Sequence, residues 1–124
     1  MILRHVALTC SSEKNSDKFF KHLLGLEKSE PKTLPRALSK AIFGIDTELQ
    51  IINYLDEYVH FEIFIYSHSM NRVRQIEHVC LEVDDRQGFL KRCRDLGVEV
   101  SQIPKRDRTL NFIRDFDGNL FEIK

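Results

Sequence analysis

Apolar and polar positions alternate along two similar stretches of this chain. In the first, Ile2, Val6, Leu8 and Cys10 fall on one side of an extended segment, with His5, Ala7 and Thr9 on the other. Ser11-Ser12 offers capping hydroxyls, and Phe19, Phe20, Leu23 and Leu24 recur at helical spacing until Gly25, which predicts a helix over 13–24. Residues 27–38 are polar and contain Pro31 and Pro35, so they read as a loop or edge segment. Strands are predicted over 40–45, 48–55 and 59–66, with Asp46-Thr47 and Asp56-Glu57 as turns. Residues 67–75 read as a polar joint.

The pattern then restarts. Ile76 to Val83 alternates like the opening strand, Asp84-Asp85 supplies a cap, and Phe89, Leu90, Cys93 and Leu96 mark a second helix that stops at Gly97. Strands follow over 98–103, 110–114 and 120–124, with a basic loop at 104–108 and a hairpin turn at Asp117-Gly118-Asn119. Each half is therefore strand, helix, three strands. A half of about 60 residues would be only marginally stable alone, so the halves are expected to pair. The expectation is one domain over 1–124, built from module 1–67 and module 75–124.

Alternation also assigns faces. Val59, Phe61, Ile63 and Ile65 would pack under the helix, leaving His60, Glu62, Phe64 and Tyr66 on the open side. Phe121 and Ile123 likewise pack, with Glu122 open, and Val79, Leu81 and Val83 pack, with His78, Cys80 and Glu82 open. The halves thus open on His5-Val6-Ala7-Leu8 and His78-Val79-Cys80-Leu81, and close on Phe61-Glu62-Ile63 and Phe121-Glu122-Ile123. One such His or Glu alone is usually a solvated residue. Two imidazoles and two carboxylates at equivalent places in a repeat form a ligand set for a divalent metal.

Composition narrows the classes further. Lys plus Arg and Asp plus Glu number 19 each, so no global charge favours nucleic acid or membrane. No apolar run reaches the roughly 18 residues of a membrane span, and the N-terminus lacks a signal-peptide layout. The three cysteines form no CxxC pair, and their odd number suits a reducing, cytoplasmic setting. Cys80 reads as a small filler, because no partner base is identifiable.

The chain resembles the vicinal oxygen chelate superfamily, glyoxalase-like branch, a group that includes glyoxalase I, bleomycin-resistance proteins and extradiol dioxygenases. The resemblance is carried by His5-Val6-x-Leu8, Phe43-Gly44-Ile45-Asp46, Phe61-Glu62-Ile63-Phe64, the run from Ile76 to Asp85, and Asp115-Phe116-Asp117-Gly118-Asn119-Leu120-Phe121-Glu122. It implies an α+β fold, with paired βαβββ modules forming a U-shaped mixed sheet around a cleft and helices on the convex face. By the same resemblance His5, Glu62, His78 and Glu122 are metal ligands for Zn, Ni, Co, Mn or Fe, and Glu62 or Glu122 is the proton base.

The activity implied is that of a metal-dependent lyase or isomerase of glyoxalase type, acting on a small oxygenated or carbonyl substrate. Arg108 and Arg114 are candidates for an anionic substrate tail, and His60, beside Glu62 on the open face, for a substrate contact, a ligand-supporting role or a substitute ligand. A homodimer is expected. Two alternatives stand: an iron dioxygenase using His5, His78 and Glu122, and a protein that binds a drug or metabolite without turnover.

Overall fold

A computed structural model describes residues 4–67 and 78–124. The chain divides into two compact units, Met1–Ser69 and Met70–Lys124. The expected joint lies largely outside the described residues, as do Ile2 and the Ile76-Glu77 start of the fifth predicted strand.

The first unit begins with β1 (Val6–Cys10) and α1 (Glu13–Ser16). Ser12 Oγ accepts from the Asn15 amide and caps α1. From Asp17 to Leu23 the helix widens into a π-helix, and the Leu24 amide bonds the Phe19 carbonyl five residues back. This looser turn buries Ser16, Phe19, Phe20 and Leu23 together. The strands that follow are β2 (Glu27–Lys28), β3 (Lys32–Leu34), β4 (Leu49–Leu55) and β5 (His60–Ile65). The sheet order is β1-β5-β4-β2, with β3 also on β4, and β1 runs parallel to β5.

One expectation is corrected here. Residues 40–45 do not form a strand: α2 spans Arg36–Phe43. Pro35 precedes it and Gly44, at φ 72°, ends it, while Arg36 and Lys40 both bond Asp46. A short apolar run such as Ala41-Ile42-Phe43 fits either period, and these flanking residues decide for helix. The missing strand is supplied by β2 and β3 from the polar stretch. As edge strands they need only one bonded side, so polar residues suit them.

The second unit repeats the plan with fewer departures. It contains β6 (Val79–Leu81), α3 (Arg86–Asp95), β7 (Glu99–Lys105), β8 (Arg108–Arg114) and β9 (Leu120–Ile123). Asp85 caps α3 by accepting from the Gly88 amide. The sheet order is β6-β9-β8-β7, with β6 parallel to β9. The expected basic loop is shorter than predicted, because β7 and β8 stay paired out to Lys105 and Arg108. Only Arg106 and Asp107 turn, with Arg106 in the left-handed region at φ 54°. The architecture is α+β, with one mixed sheet and the same strand order in each unit.

The cores lie between sheet and helix, on the predicted face. Phe61, Ile63, Phe121 and Ile123 are all buried. The Phe20 ring lies 5.3 Å from those of Phe61 and Tyr54. Phe89, Leu90 and Cys93 of α3 are buried in the second unit, where burial pushes the Cys93 thiol up to about 11.

A polar network joins helix to sheet in the first unit. The fully buried Tyr54 donates to Asp17 Oδ1 (2.7 Å) and lies 2.8 Å from Ser16 Oγ. Lys28 Nζ donates to both Glu13 and Asp17. The bond from Lys28, then that from Gln50, holds the Glu13 carboxyl below its usual value. For Asp17, burial pushes upward, but the bonds from Lys28 and Tyr54 outweigh it and the carboxyl is lowered.

Phe61→Ala or Phe121→Ala should cost about 3–5 kcal/mol in urea denaturation, and a loss under roughly 1 kcal/mol would mean the strand facing is wrong. The acid limb of stability carries a second prediction. Carboxyls lowered in the folded state contribute above their unfolded values near pH 4, and that contribution disappears as pH falls through the folded values. Lys28→Met should cost about 1–2 kcal/mol at pH 7, since these groups are partly exposed. It should also flatten the dependence of the denaturation midpoint on pH below about 4, and an acid limb of unchanged slope would refute the pairing.

Candidate metal centre

Parallel pairing positions the first His–Glu pair. Ala7 stands opposite Glu62 in the β1–β5 ladder, so His5, two residues earlier, shares the face of Glu62. His5 Nε2 lies 3.6 Å from Glu62 Oε2. His60, on the same face, donates from Nε2 to Asn53 Oδ1 at 2.8 Å, since a carboxamide oxygen can only accept. Its ring stands edge-on to that of His5, with centroids 5.6 Å apart.

The second unit repeats the register. Cys80 stands opposite Glu122 in the β6–β9 ladder, and His78 is two residues earlier. His78 Nε2 lies 3.6 Å from Glu122 Oε2, the same separation as in the first unit. The two carboxylate side chains are the more recessed members, 25% and 16% exposed against 45% and 38% for the imidazoles. Lys124 Nζ lies 3.8 Å from Glu122 Oε1. The His78 ring meets Phe112 edge-on at 5.9 Å.

These donor pairs fit a divalent ion. A separation of 3.6 Å is too long for a hydrogen bond. Two ligands held at about 2.0–2.2 Å on one tetrahedral or octahedral ion stand roughly 3–3.5 Å apart, close to what each pair shows. Among the described residues no group of three or more His, Cys, Asp or Glu is arranged to hold a metal. Each unit brings together one His and one Glu of the four expected ligands.

The remaining predicted site residues fall in distinct places. Arg114 lies on the Glu122 face opposite Leu120, donates to the Gly118 carbonyl (2.9 Å) and has Nε 3.9 Å from Glu99. Arg108 lies at the exposed end of the β7–β8 hairpin, four positions along the strand from Phe112, the residue opposite Glu122. That is about 13 Å of strand, which separates Arg108 from Glu122. Cys80 is exposed on the Glu122 face.

Three contributors were not predicted. Asn53 fixes His60, Phe112 flanks His78, and Asp115 builds the turn before β9. Nothing in the sequence pairs Asn53 with His60; the β4–β5 register does. Asp115 Oδ1 accepts from the amides of Asp117 (3.0 Å) and Asn119 (2.8 Å), and Oδ2 accepts from Asn119 Nδ2 (2.6 Å). Burial pushes the Asp115 carboxyl upward against these bonds.

The sequence profile of the Glyoxalase/Bleomycin resistance protein/Dioxygenase superfamily matches residues 2–123. The chain belongs to this superfamily. The fold is shared with the glyoxalase family protein from Enterococcus faecalis, at TM-score 0.76 and 18% identity over 98% of this chain and 95% of that one. The glyoxalase family protein from Bacillus cereus matches at TM-score 0.72 and 15% identity, over 98% and 91% of the two chains. A mutant of the fosfomycin resistance protein FosX from Listeria monocytogenes, complexed with Mn(II) and 1S,2S-dihydroxypropylphosphonic acid, matches at TM-score 0.72 and 18% identity, over 99% and 90%. At these identities the likeness concerns the fold alone. No curated protein matches the chain significantly.

In this superfamily member the turn that delivers Glu122 hangs on one buried carboxylate. Asp115→Ala strips three donors of their acceptor and should cost about 2–3 kcal/mol. Urea denaturation checks it, and a cost below about 0.5 kcal/mol would show that the turn holds without Asp115.

Proposed function

We propose that the chain is a single vicinal-oxygen-chelate domain in which His5, Glu62, His78 and Glu122 hold one divalent ion, and that it acts as a lyase or isomerase of glyoxalase type on a small oxygenated or carbonyl substrate. One observation carries this reading. Both units place a His two residues ahead of the partner of a Glu in a parallel ladder, and both set Nε2 and Oε2 3.6 Å apart. Solvated residues have no reason to repeat that geometry. The Mn(II) bound by FosX supports a metal of this kind, and the His/Glu donor set accommodates Zn, Ni, Co, Mn or Fe.

The bound ion supplies Lewis-acid polarisation of substrate oxygens. The protein's own residues do the rest. Glu62 or Glu122 takes the substrate proton as general base, a role a positioned carboxylate can fill. His60, fixed by Asn53, presents a ring beside His5 to a bound substrate. Arg114 lies on the Glu122 face for an anionic group, and Arg108 meets only the outer part of an extended substrate.

The assembly we propose is a cytoplasmic homodimer. Each sheet ends in edge strands, β1 with β2 and β3 in one unit, β6 with β7 in the other, and open edges favour pairing. Among the described residues no helix is long and apolar enough to cross a membrane.

Titration of divalent metals into metal-free protein should show one equivalent bound per chain. His78→Ala should abolish that binding and leave the denaturation midpoint nearly unchanged, because the residue faces away from the core. Tight binding that survives both His78→Ala and Glu122→Gln would refute the four-ligand centre. Hemithioacetals and catechols then separate the activities: isomerisation without oxygen uptake supports this reading, and oxygen consumption with iron and a catechol overturns it in favour of a dioxygenase. Between Glu62→Gln and Glu122→Gln, the variant that keeps metal and loses kcat identifies the base.

A further inference from the structure

The two imidazoles are flanked differently in otherwise matching surroundings. In the first unit Asn53 stands opposite Glu62, and in the second Phe112 stands opposite Glu122. Position for position, Asn53 corresponds to Phe112, and His60 to Leu120, each being two residues before the Glu of its strand. The Phe112 ring meets His78 directly, edge-on at 5.9 Å. Asn53 carries no ring, and the edge-on neighbour of His5 is instead His60, at 5.6 Å.

A Phe held in a sheet has one preferred way to lie against its neighbour. An imidazole can rotate about its outer torsion and present either nitrogen, so it makes a poor prop unless something fixes it. Asn53 does so. Its side-chain oxygen takes the proton of His60 Nε2 at 2.8 Å. Its own backbone is anchored on both sides by Ser29: the Asn53 amide donates to Ser29 Oγ at 3.1 Å, and the Asn53 carbonyl accepts from the Ser29 amide at 2.9 Å. The path runs from the edge strand through Ser29 and Asn53 to His60, and from His60 to the ring of His5.

We infer that Asn53 is a positioning residue of the metal centre: it locks His60 in the Nε2–H tautomer so that the His60 ring holds His5 in its ligating orientation, the part that Phe112 plays directly for His78. This rests on the four-ligand reading above. In this role Asn53 acts only through His60. The contribution is preorganisation, because a ligand whose ring orientation is already fixed loses less freedom on binding.

The test follows ring resonances of 15N-labelled histidines in metal-free protein and Zn(II) affinity by calorimetry, in the wild type, Asn53→Leu, His60→Phe and the double variant. Wild type should show the His60 proton on Nε2 and a through-space contact between the His60 and His5 rings. Asn53→Leu should lose both and bind Zn(II) about tenfold more weakly, at the low end for groups that orient a ligand. His60→Phe replaces the prop with a ring that needs no hydrogen bond, so adding Asn53→Leu to it should cost no further affinity.

Asn53→Leu that weakens Zn(II) by less than about twofold, or that weakens it equally in the His60→Phe background, overturns the inference. A wild-type protein that binds no Zn(II) overturns the metal reading instead. The ring resonances then still decide whether Asn53 orients His60 and His5, and unchanged His60 signals in Asn53→Leu count against it.

Discussion

Parallel pairing of the first and last strands within each unit is the constraint on which the candidate centre depends. It sets Val6 beside Phe61 and Ala7 beside Glu62, and repeats this with Val79 beside Phe121 and Cys80 beside Glu122. Because side chains alternate, a slip of one residue would exchange each Glu with a Phe, burying a carboxylate and exposing an aromatic ring. The register is held by Phe61, Ile63, Phe121 and Ile123, all buried against the helices. The apolar core and the two candidate carboxylates thus lie on two faces of the same strands. Whatever damages the first misplaces the second.

Around this shared frame the units differ, and the differences concentrate in the first. It alone carries α2, whose Phe43 meets Phe64 on the Glu62 face at 5.2 Å. It alone splits its edge strand into β2 and β3. Its helix widens to a π-helix over a polar network of Tyr54, Asp17, Lys28 and Glu13, whereas α3 stays regular over Phe89, Leu90 and Cys93. The open face follows suit: His60 and Asn53 make the surroundings of His5 polar, while Phe112 and Leu120 are the equivalent residues near His78. The duplicated unit keeps its donors and varies what surrounds them.

Much of this was legible in the residues alone. Period-two alternation is a local property of the chain, so the facing of His5, Glu62, His78 and Glu122 followed from their immediate neighbours. The caps at Ser12 and Asp85 and the stops at Gly25 and Gly97 were local in the same sense. So was the repeat, which requires only that the chain be compared with itself. The strand expected over 40–45 falls mostly in α2, which Pro35 and Gly44 bracket, because an apolar run that short does not reveal its period.

Tertiary structure decided what depends on which strand comes to lie alongside. Nothing near Asn53 in the chain shows that His60 will be within hydrogen-bonding reach, and only the β4–β5 register brings them together. Lys28 meets Glu13 and Asp17 because β2 pairs with β4 beside the first helix, a contact between segments that alternation cannot relate. The 3.6 Å spacing within each His–Glu pair is likewise a product of strand pairing. Which way a side chain faces is settled by the residues on either side of it. What it meets there is settled by the closure of the chain, which brings together residues far apart along it.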